Sequence, residues 1–210
     1  MVVLELFAGT RSIGKAFERK GHKVISIDWD RKFENIDLYC DISQLDIKTI
    51  IDLCGGKPDV IWASPDCTSY SLAGISHHRR VIDGKHIPIS DYAKFCDECN
   101  KHVIDLIMEL KPKYYFIENP RGCFRKMDFI QDIPRYTITY CQYGDTRMKP
   151  TDIFTNHPNP KFKPPCHNGD KCHVSAPRGS ATGTQGIKGS VDRSRIPDAF
   201  CDHVVKICEL

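Results

Sequence analysis

Long apolar runs are missing from this 210-residue sequence. None approaches the ~20 residues of a membrane-spanning helix, so a membrane protein is not expected. The opening Met1-Val2-Val3-Leu4-Glu5-Leu6 has no basic segment and no small-residue cleavage site, so no secretory signal is expected and a cytoplasmic protein is. There is little excess charge of either sign. Thirty Lys and Arg against 27 Asp and Glu leave +3, a balance that permits a nucleic-acid partner without demanding one. No internal repeat is visible. Cysteine, by contrast, is plentiful: the count of 11 is odd, and several cysteines sit inside apolar patterns. Without an export signal they read as reduced thiols rather than a disulfide framework.

The length suits one domain with room for a small insertion. Val2–Phe7, Lys23–Asp28, Asp59–Ala63 and Tyr114–Ile117 read as strands, and Ser12–Lys20, Asp46–Leu53 and Ser90–Leu110 as helices. Ser90 is a natural N-cap, and Pro112 lies just past the long helix. This alternation predicts an α/β fold with a mostly parallel sheet and helices on both faces. After Thr155 the composition shifts: residues 156–190 are rich in Pro, Gly, His, Ser and Thr and have no apolar period. A final helix is expected from Arg195-Ile196-Pro197 through Leu210. The division is therefore a core at 1–155, an irregular segment at 156–190 and a C-terminal helix within 191–210.

Several strand ends carry chemistry, at the sheet edge where open α/β sheets bind ligands. The first strand runs through Phe7-Ala8-Gly9-Thr10-Arg11-Ser12-Ile13 into a helix. Gly9 lets the backbone approach a ligand, and the helix start offers free N–H groups. The second strand ends in Asp28-Trp29, an acid suited to ribose hydroxyls beside an aromatic suited to an adenine face. Asp41-Ile42 brings a second carboxylate within reach of an adenine amino group. One such acid would be plain surface, but three elements in order favour a nucleoside cofactor. The third strand delivers Pro65-Asp66-Cys67 into a polar loop, where a thiol is accessible as a nucleophile. The fourth ends in Glu118-Asn119-Pro120, setting a proton donor beside that thiol.

In this order the motifs resemble those of the cytosine-5 DNA methyltransferases. Phe7-Ala8-Gly9 is similar to that family's Phe-x-Gly cofactor turn. Pro65-Asp66-Cys67-Thr68-Ser69-Tyr70-Ser71 is similar to its Pro-Pro-Cys-Gln-x-Phe-Ser loop, and Glu118-Asn119-Pro120 to its Glu-Asn-Val. Tyr143-Gly144-Asp145-Thr146-Arg147-Met148-Lys149 is similar to its Tyr-Gly-x-x-Gln-x-Arg segment. Ser194-Arg195-Ile196-Pro197 loosely matches the C-terminal segment that closes the cofactor pocket. The resemblance spans 1–155 and, loosely, 190–210. There are departures. Arg11-Ser12 replaces a Gly-Gly, Asp66 the second Pro, Thr68 the Gln, Arg147 a Gln and Lys149 the first Arg. An acid beside the nucleophile disfavours the thiolate, so Asp66 must find a partner or point away. The separate target-recognition domain of the family is absent or reduced to 156–190.

The resemblance implies a doubly wound, Rossmann-like methyltransferase that uses S-adenosylmethionine and needs no metal for its chemistry. Its cofactor residues would be Phe7, Ala8, Gly9, Thr10, Arg11, Ser12, Ile13, Asp28, Trp29, Asp41, Ile42, Pro65 and Ser194. Cys67 would add to cytosine C6, Glu118 would hydrogen-bond or protonate N3, and Arg147 with Lys149 would neutralise charge at O2. The implied partner is duplex DNA with its target cytosine flipped out, bound by a monomer in a prokaryote or phage-infected host. The basic stretch His77-His78-Arg79-Arg80, between Gly74 and Lys85, would close over DNA phosphates. Two rivals share these residues: an enzyme of the same mechanism acting on RNA or a free cytosine nucleotide, and a silent DNA-binding homologue. Cys96 and Cys99 fall on an apolar helix face and read as core. Cys166, Cys172 and His173, with His157 and His167 nearby, leave open a zinc clip of unusual spacing. The small polar residues of Ser175–Gly186 would trace a nucleic-acid backbone or form a plain loop.

Overall fold

The computed structural model describes residues 1–175 and 189–210. A seven-stranded sheet forms the centre. Its strands are β1 (Val2–Leu6), β2 (Lys23–Asp28), β3 (Leu38–Tyr39), β4 (Val60–Ala63), β7 (Tyr114–Pro120), β8 (Arg135–Thr139) and β9 (Pro150–Thr155), in the order β3-β2-β1-β4-β7-β9-β8. The first five of these run parallel; β9 pairs antiparallel with both β7 and β8. Strands β1 and β4 are buried on both faces, as a covered parallel sheet requires.

Alternate side chains feed two cores. On one face Val3, Trp62 and Phe116 pack with Ile13 and Phe17 of α1 (Ser12–Arg19) and Phe200 and Val204 of α6 (Asp198–Cys208). On the other, Leu4, Ile61 and Ile117 pack with Ile50 of α2 (Ile47–Cys54) and Val103, Leu106 and Ile107 of α4 (Asp91–Leu110). Asp46 caps α2 by accepting from the Thr49 N–H, and Ser90 caps α4 by accepting from that of Ala93. Cys96 and Cys99 belong to the second core, as their helical spacing predicts.

Three segments differ from the sequence reading. The stretch read as a basic loop over 74–85 is instead a short helix α3 (Ile75–His78) followed by a hairpin of β5 (Arg79–Ile82) and β6 (Lys85–Pro88). Asp83 and Gly84 make its turn with φ of 50° and 77°, the two-residue geometry that Asp-Gly favours. The edge pair β8–β9 was not legible as strands. The C-terminal helix begins at Asp198, not Arg195, because a residue before proline is driven out of the helical region. A separate turn of helix, α5 (Ser190–Ser194), precedes it.

Strand order reverses between β1 and β4, so the crevice outside their carboxyl ends is the place for a ligand. The Gly9 turn and the Cys67 loop leave strands at this edge, and Glu118 lies near the carboxyl end of β7.

Candidate active site

Cys67 sits half-buried in the loop after β4, just before a turn of 3₁₀ helix at Thr68–Tyr70. Two anchors hold that loop. Asn119 Nδ2 donates to the Pro65 carbonyl at 3.1 Å, tying the loop to the end of β7. Behind it, Tyr70 donates to Asp97 Oδ1 at 2.7 Å and accepts from Asn100 Nδ2 at 2.9 Å. Arg79 completes this buried network. Its guanidinium grips both Asp97 oxygens at 2.7 and 2.9 Å, donates to the Ser69 carbonyl at 2.9 Å and lies over the Tyr70 ring. Arg79 is therefore no phosphate contact. Its charge is spent inside the protein, while His77 and Arg80 remain exposed. Asp66 points outward and accepts from the Thr68 N–H, the local partner that an acid at this position needs.

Glu118 is buried and accepts from the Tyr140 hydroxyl at 3.0 Å. Burial raises its pKa, against the pull of Lys149 and the Tyr140 hydrogen bond, because a buried carboxylate loses its hydration. Burial, with the carboxylates of Asp66 and Glu118, pushes the Cys67 thiol up to about 11. Lys149 opposes that rise. Its own pKa is lowered by burial, despite Glu118 and Cys67 beside it. Lys149 also lies over the Tyr140 ring and donates to the Arg193 carbonyl at 2.9 Å.

Arg147 is placed elsewhere. Its guanidinium is buried, paired with Asp145, and donates to the carbonyls of Asp192, Arg193 and Arg195 at 3.3 to 3.4 Å. Of the two cations expected at the base, only Lys149 faces Cys67 and Glu118; Arg147 clamps the C-terminal segment. The reason is local: Asp145, two residues away, fixes the Arg147 side chain by a buried ion pair.

The turn after β1 has left-handed backbone at Phe7 (φ 54°), Gly9 (φ 51°) and Arg11 (φ 56°). This is costly for Phe and Arg, and such strain collects at ligand turns. Asp28 is buried, and its oxygens accept from the Gly9 and Asp30 N–H groups at 2.8 Å each. Each oxygen keeps a lone pair for a hydroxyl. Trp29 beside it is 68% exposed and offers a large apolar face. Phe33, which the sequence reading passed over, stands 3.8 Å from where a Gly9 Cβ would be. Asp41 is exposed and caps its own turn by accepting from Ser43, whereas the Ile42 side chain is core. Pro65 is buried.

Arg11 corrects the expectation. Its side chain turns inward to Ser26 Oγ (2.8 Å) and to Glu18, leaving only its backbone at the turn. Ile13 is likewise fully buried. A cleft of about 330 Å³ lies between Thr10, Ser12 and Lys15 on one side and Arg195, Ile196 and Pro197 on the other, with Asp145 and Arg147 at its floor. Ser194 is not in its wall; its hydroxyl donates to the Val191 carbonyl. The charges of the cleft suit the ammonium and carboxylate of an amino acid, and Trp29, Asp28 and Asp41 suit an adenosine. The donor set fits S-adenosylmethionine.

Residues 1–129 match the C-5 cytosine-specific DNA methylase family. The chain belongs to that family. It is 29% identical over 224 residues to a Frog virus 3 (isolate Goorha) protein named "Probable DNA (cytosine-5)-methyltransferase", covering 99% of this chain and all of that one. In three dimensions it is similar to the Entamoeba histolytica methyltransferase EhMeth, with a TM-score of 0.54 at 16% identity over 74% of this chain and 52% of that one. It is also similar to the S. pombe Dnmt2 methyltransferase, with a TM-score of 0.51 at 14% identity over 74% and 48%. At such identities these structures support the fold alone, the Rossmann-like α/β sheet. The chain spans about half the length of these solved structures. The methyl donor of the methylase family is S-adenosylmethionine. No helix among the described residues is long and apolar enough to cross a membrane.

The sequence reading missed Asn119 as a loop anchor, Tyr140 as the partner of Glu118 and the Tyr70–Arg79–Asp97 network. Only Asn119 carried a signal, as the neighbour of the acid in the Glu-Asn pair.

Proposed function

We propose that this methylase transfers a methyl group from S-adenosylmethionine to C5 of cytosine in duplex DNA, through a covalent bond from Cys67 to C6. The observation that carries this is the convergence of Cys67, Glu118 and Lys149 at one sheet edge, with a raised carboxyl pKa. C5 is a poor nucleophile until C6 is attacked. The Cys67 thiol releases its proton to solvent, and the thiolate sulfur bonds to C6 as Glu118 donates its proton to N3, which limits the negative charge that develops on the ring. Lys149, in the field of both groups, stabilises the thiolate and the developing charge. When bound, S-adenosylmethionine supplies the methyl group as a sulfonium, and C5 takes it. Solvent water then takes the C5 proton, the C5–C6 double bond re-forms as the Cys67 sulfur leaves, and N3 returns its proton to Glu118, which restores the ring. Phe7, Ala8, Gly9, Thr10 and Ser12 would line the cofactor turn, with Asp28 at the ribose and Trp29 at the adenine. The target base leaves the duplex stack to reach Cys67, at a cost of a few kcal/mol.

The reading takes 1–155 as the catalytic unit, 156–190 as a reduced recognition segment and 191–210 as the closing helix. It also takes the protein as a monomer in the cytoplasm of a prokaryote or phage-infected host, where eleven free cysteines would stay reduced.

The test is methyl-labelled S-adenosylmethionine with mixed-sequence duplex DNA, followed by nucleoside mass spectrometry. Wild type should give 5-methyldeoxycytidine and Cys67→Ser none. Methylation of RNA or dCMP but not DNA would overturn the substrate. DNA binding with no methylation of any of the three would leave a silent homologue.

A further inference from the structure

Four metal-ligating side chains converge outside the set of Cys67, Glu118 and Lys149. Cys141 lies in the turn of 3₁₀ helix after β8 (Tyr140–Tyr143), and Cys166, Cys172 and His173 come from the irregular segment. Their ligand atoms all lie within 4.8 Å of one another. Cys172 Sγ is 3.6 Å from Cys141 Sγ, and His173 Nδ1 is 3.7 Å from both Cys166 Sγ and Cys172 Sγ. A tetrahedron with Zn–S near 2.3 Å and Zn–N near 2.0 Å has edges of about 3.5 to 3.8 Å. Three of the separations already match that figure. The Cys141–Cys166 pair, at 3.0 Å, would open slightly around an ion.

We propose that Cys141, Cys166, Cys172 and His173 form a structural zinc site. All four positions of a closed site are filled by protein, in a Cys₃His set with the soft ligands zinc takes. His167 and His157 stay outside it. His167 is exposed, and His157 is held by the Ile207 carbonyl.

The surrounding chain explains the need. Phe162 still packs on the core beside Phe200, but from Lys163 to Ser175 Cys166 is the only buried residue, so apolar burial contributes little to holding this stretch. Backbone ties are few and sit around the cluster. The Cys166 N–H donates to Thr139 Oγ1 at 2.9 Å, and the Val174 N–H to the Thr146 carbonyl at 2.9 Å. The outer groups also suit thiolate and imidazole ligands: Gln142 Nε2 lies 3.7 Å from Cys172 Sγ, and Ser175 Oγ lies 3.5 Å from His173 Nε2. The metal would thus staple the irregular segment to the turn that leads to Arg147 and Lys149. It would do what a hydrophobic core does in a larger recognition domain.

The full chain, expressed with zinc and purified without chelator, should carry about one zinc per chain by elemental analysis, the occupancy of a closed site. Cys172→Ser and His173→Asn, both at positions that are not buried, should each lose most of it. Cobalt(II) in its place should give tetrahedral visible bands and a thiolate charge-transfer band, weakened in Cys141→Ser. Chelator should lower the melting temperature of wild type and leave Cys172→Ser unchanged. Three results would each overturn the site: a metal-free protein after zinc loading, full zinc retention in both variants, or a native mass two hydrogen atoms light from a Cys141–Cys166 disulfide. None of these readouts depends on methyl transfer, so the site and the enzymatic reading fail separately.

Discussion

At the scale of single residues, attack needs Cys67 as thiolate, with Glu118 as the proton donor. Burial and the neighbouring carboxylates hold the thiol at about 11, so below that pH each pH unit multiplies the thiolate fraction about tenfold. Burial also raises the Glu118 carboxyl. Glu118→Gln removes the acid and leaves the thiol as the titrating group. Its activity should be lower by about 10²–10⁴, and its kcat/KM should climb about tenfold per pH unit through neutral and mildly alkaline pH, because only the thiolate fraction still varies. A pH-independent kcat/KM in Glu118→Gln would contradict the raised thiol. The pKa values rest on burial and on the neighbours that surround Cys67, neither of which sequence spacing reveals. Cys67 and Glu118 themselves were legible, since each ends a strand in a motif. Which of Arg147 and Lys149 faces them was not, because that depends on the buried pairing of Arg147 with Asp145.

At the scale of elements, the periodic ones were readable and the irregular ones were not. Strand β2 and the core faces of α1 and α4 follow from apolar spacing. The hairpin β5–β6 had a signal in Asp83-Gly84 between apolar residues, but the charges of His77–Arg80 drew the reading toward a mobile phosphate-binding loop. Only the tertiary fold shows that Arg79 is inside. This reassignment has an energetic consequence. Arg79 has no side-chain exposure and Asp97 has 11%. Removing one partner leaves a buried charge unpaired, at about 3–5 kcal/mol, whereas replacing both by apolar residues is often near neutral. Arg79→Leu should show that loss in urea unfolding, and Arg79→Leu with Asp97→Leu should recover much of it. Because the network also holds Tyr70 and Ser69 behind Cys67, the double variant should fold yet methylate poorly. A surface arginine would produce neither effect. The small polar stretch within 176–186 read as a nucleic-acid contact lies outside the described residues, and Ser175 before it is exposed.

At the scale of the whole molecule, two buried charge systems join distant parts of the chain. Glu5 on β1 is raised from 4.5 to about 7 by burial, against hydrogen bonds from Gly14 and Ser26 and the charge of Arg11. Its proton is held more tightly folded than unfolded, so its contribution is complete below pH 4.5 and is lost as pH rises to about 7. The shift corresponds to about 3 kcal/mol. Glu5→Gln should lose much less stability than wild type between pH 5 and 8 in denaturant titrations. The second system is Arg147, one guanidinium that holds three carbonyls of residues 192–195 and thereby forms the far wall of the cleft opposite Thr10 and Ser12. If Arg147 acted on the cytosine O2, Arg147→Ala would lower kcat and leave S-adenosylmethionine binding intact. A clamp predicts the converse. The C-terminal wall should loosen, amide exchange through α5 should speed up, and the dissociation constant for S-adenosylmethionine should rise by about tenfold or more, the loss of about 1.4 kcal/mol. kcat at saturating cofactor should stay near wild type, since Lys149 still faces Cys67 and Glu118. Calorimetric titration beside a single-turnover rate separates the two roles, because each variant parameter reports a different end of the same buried side chain.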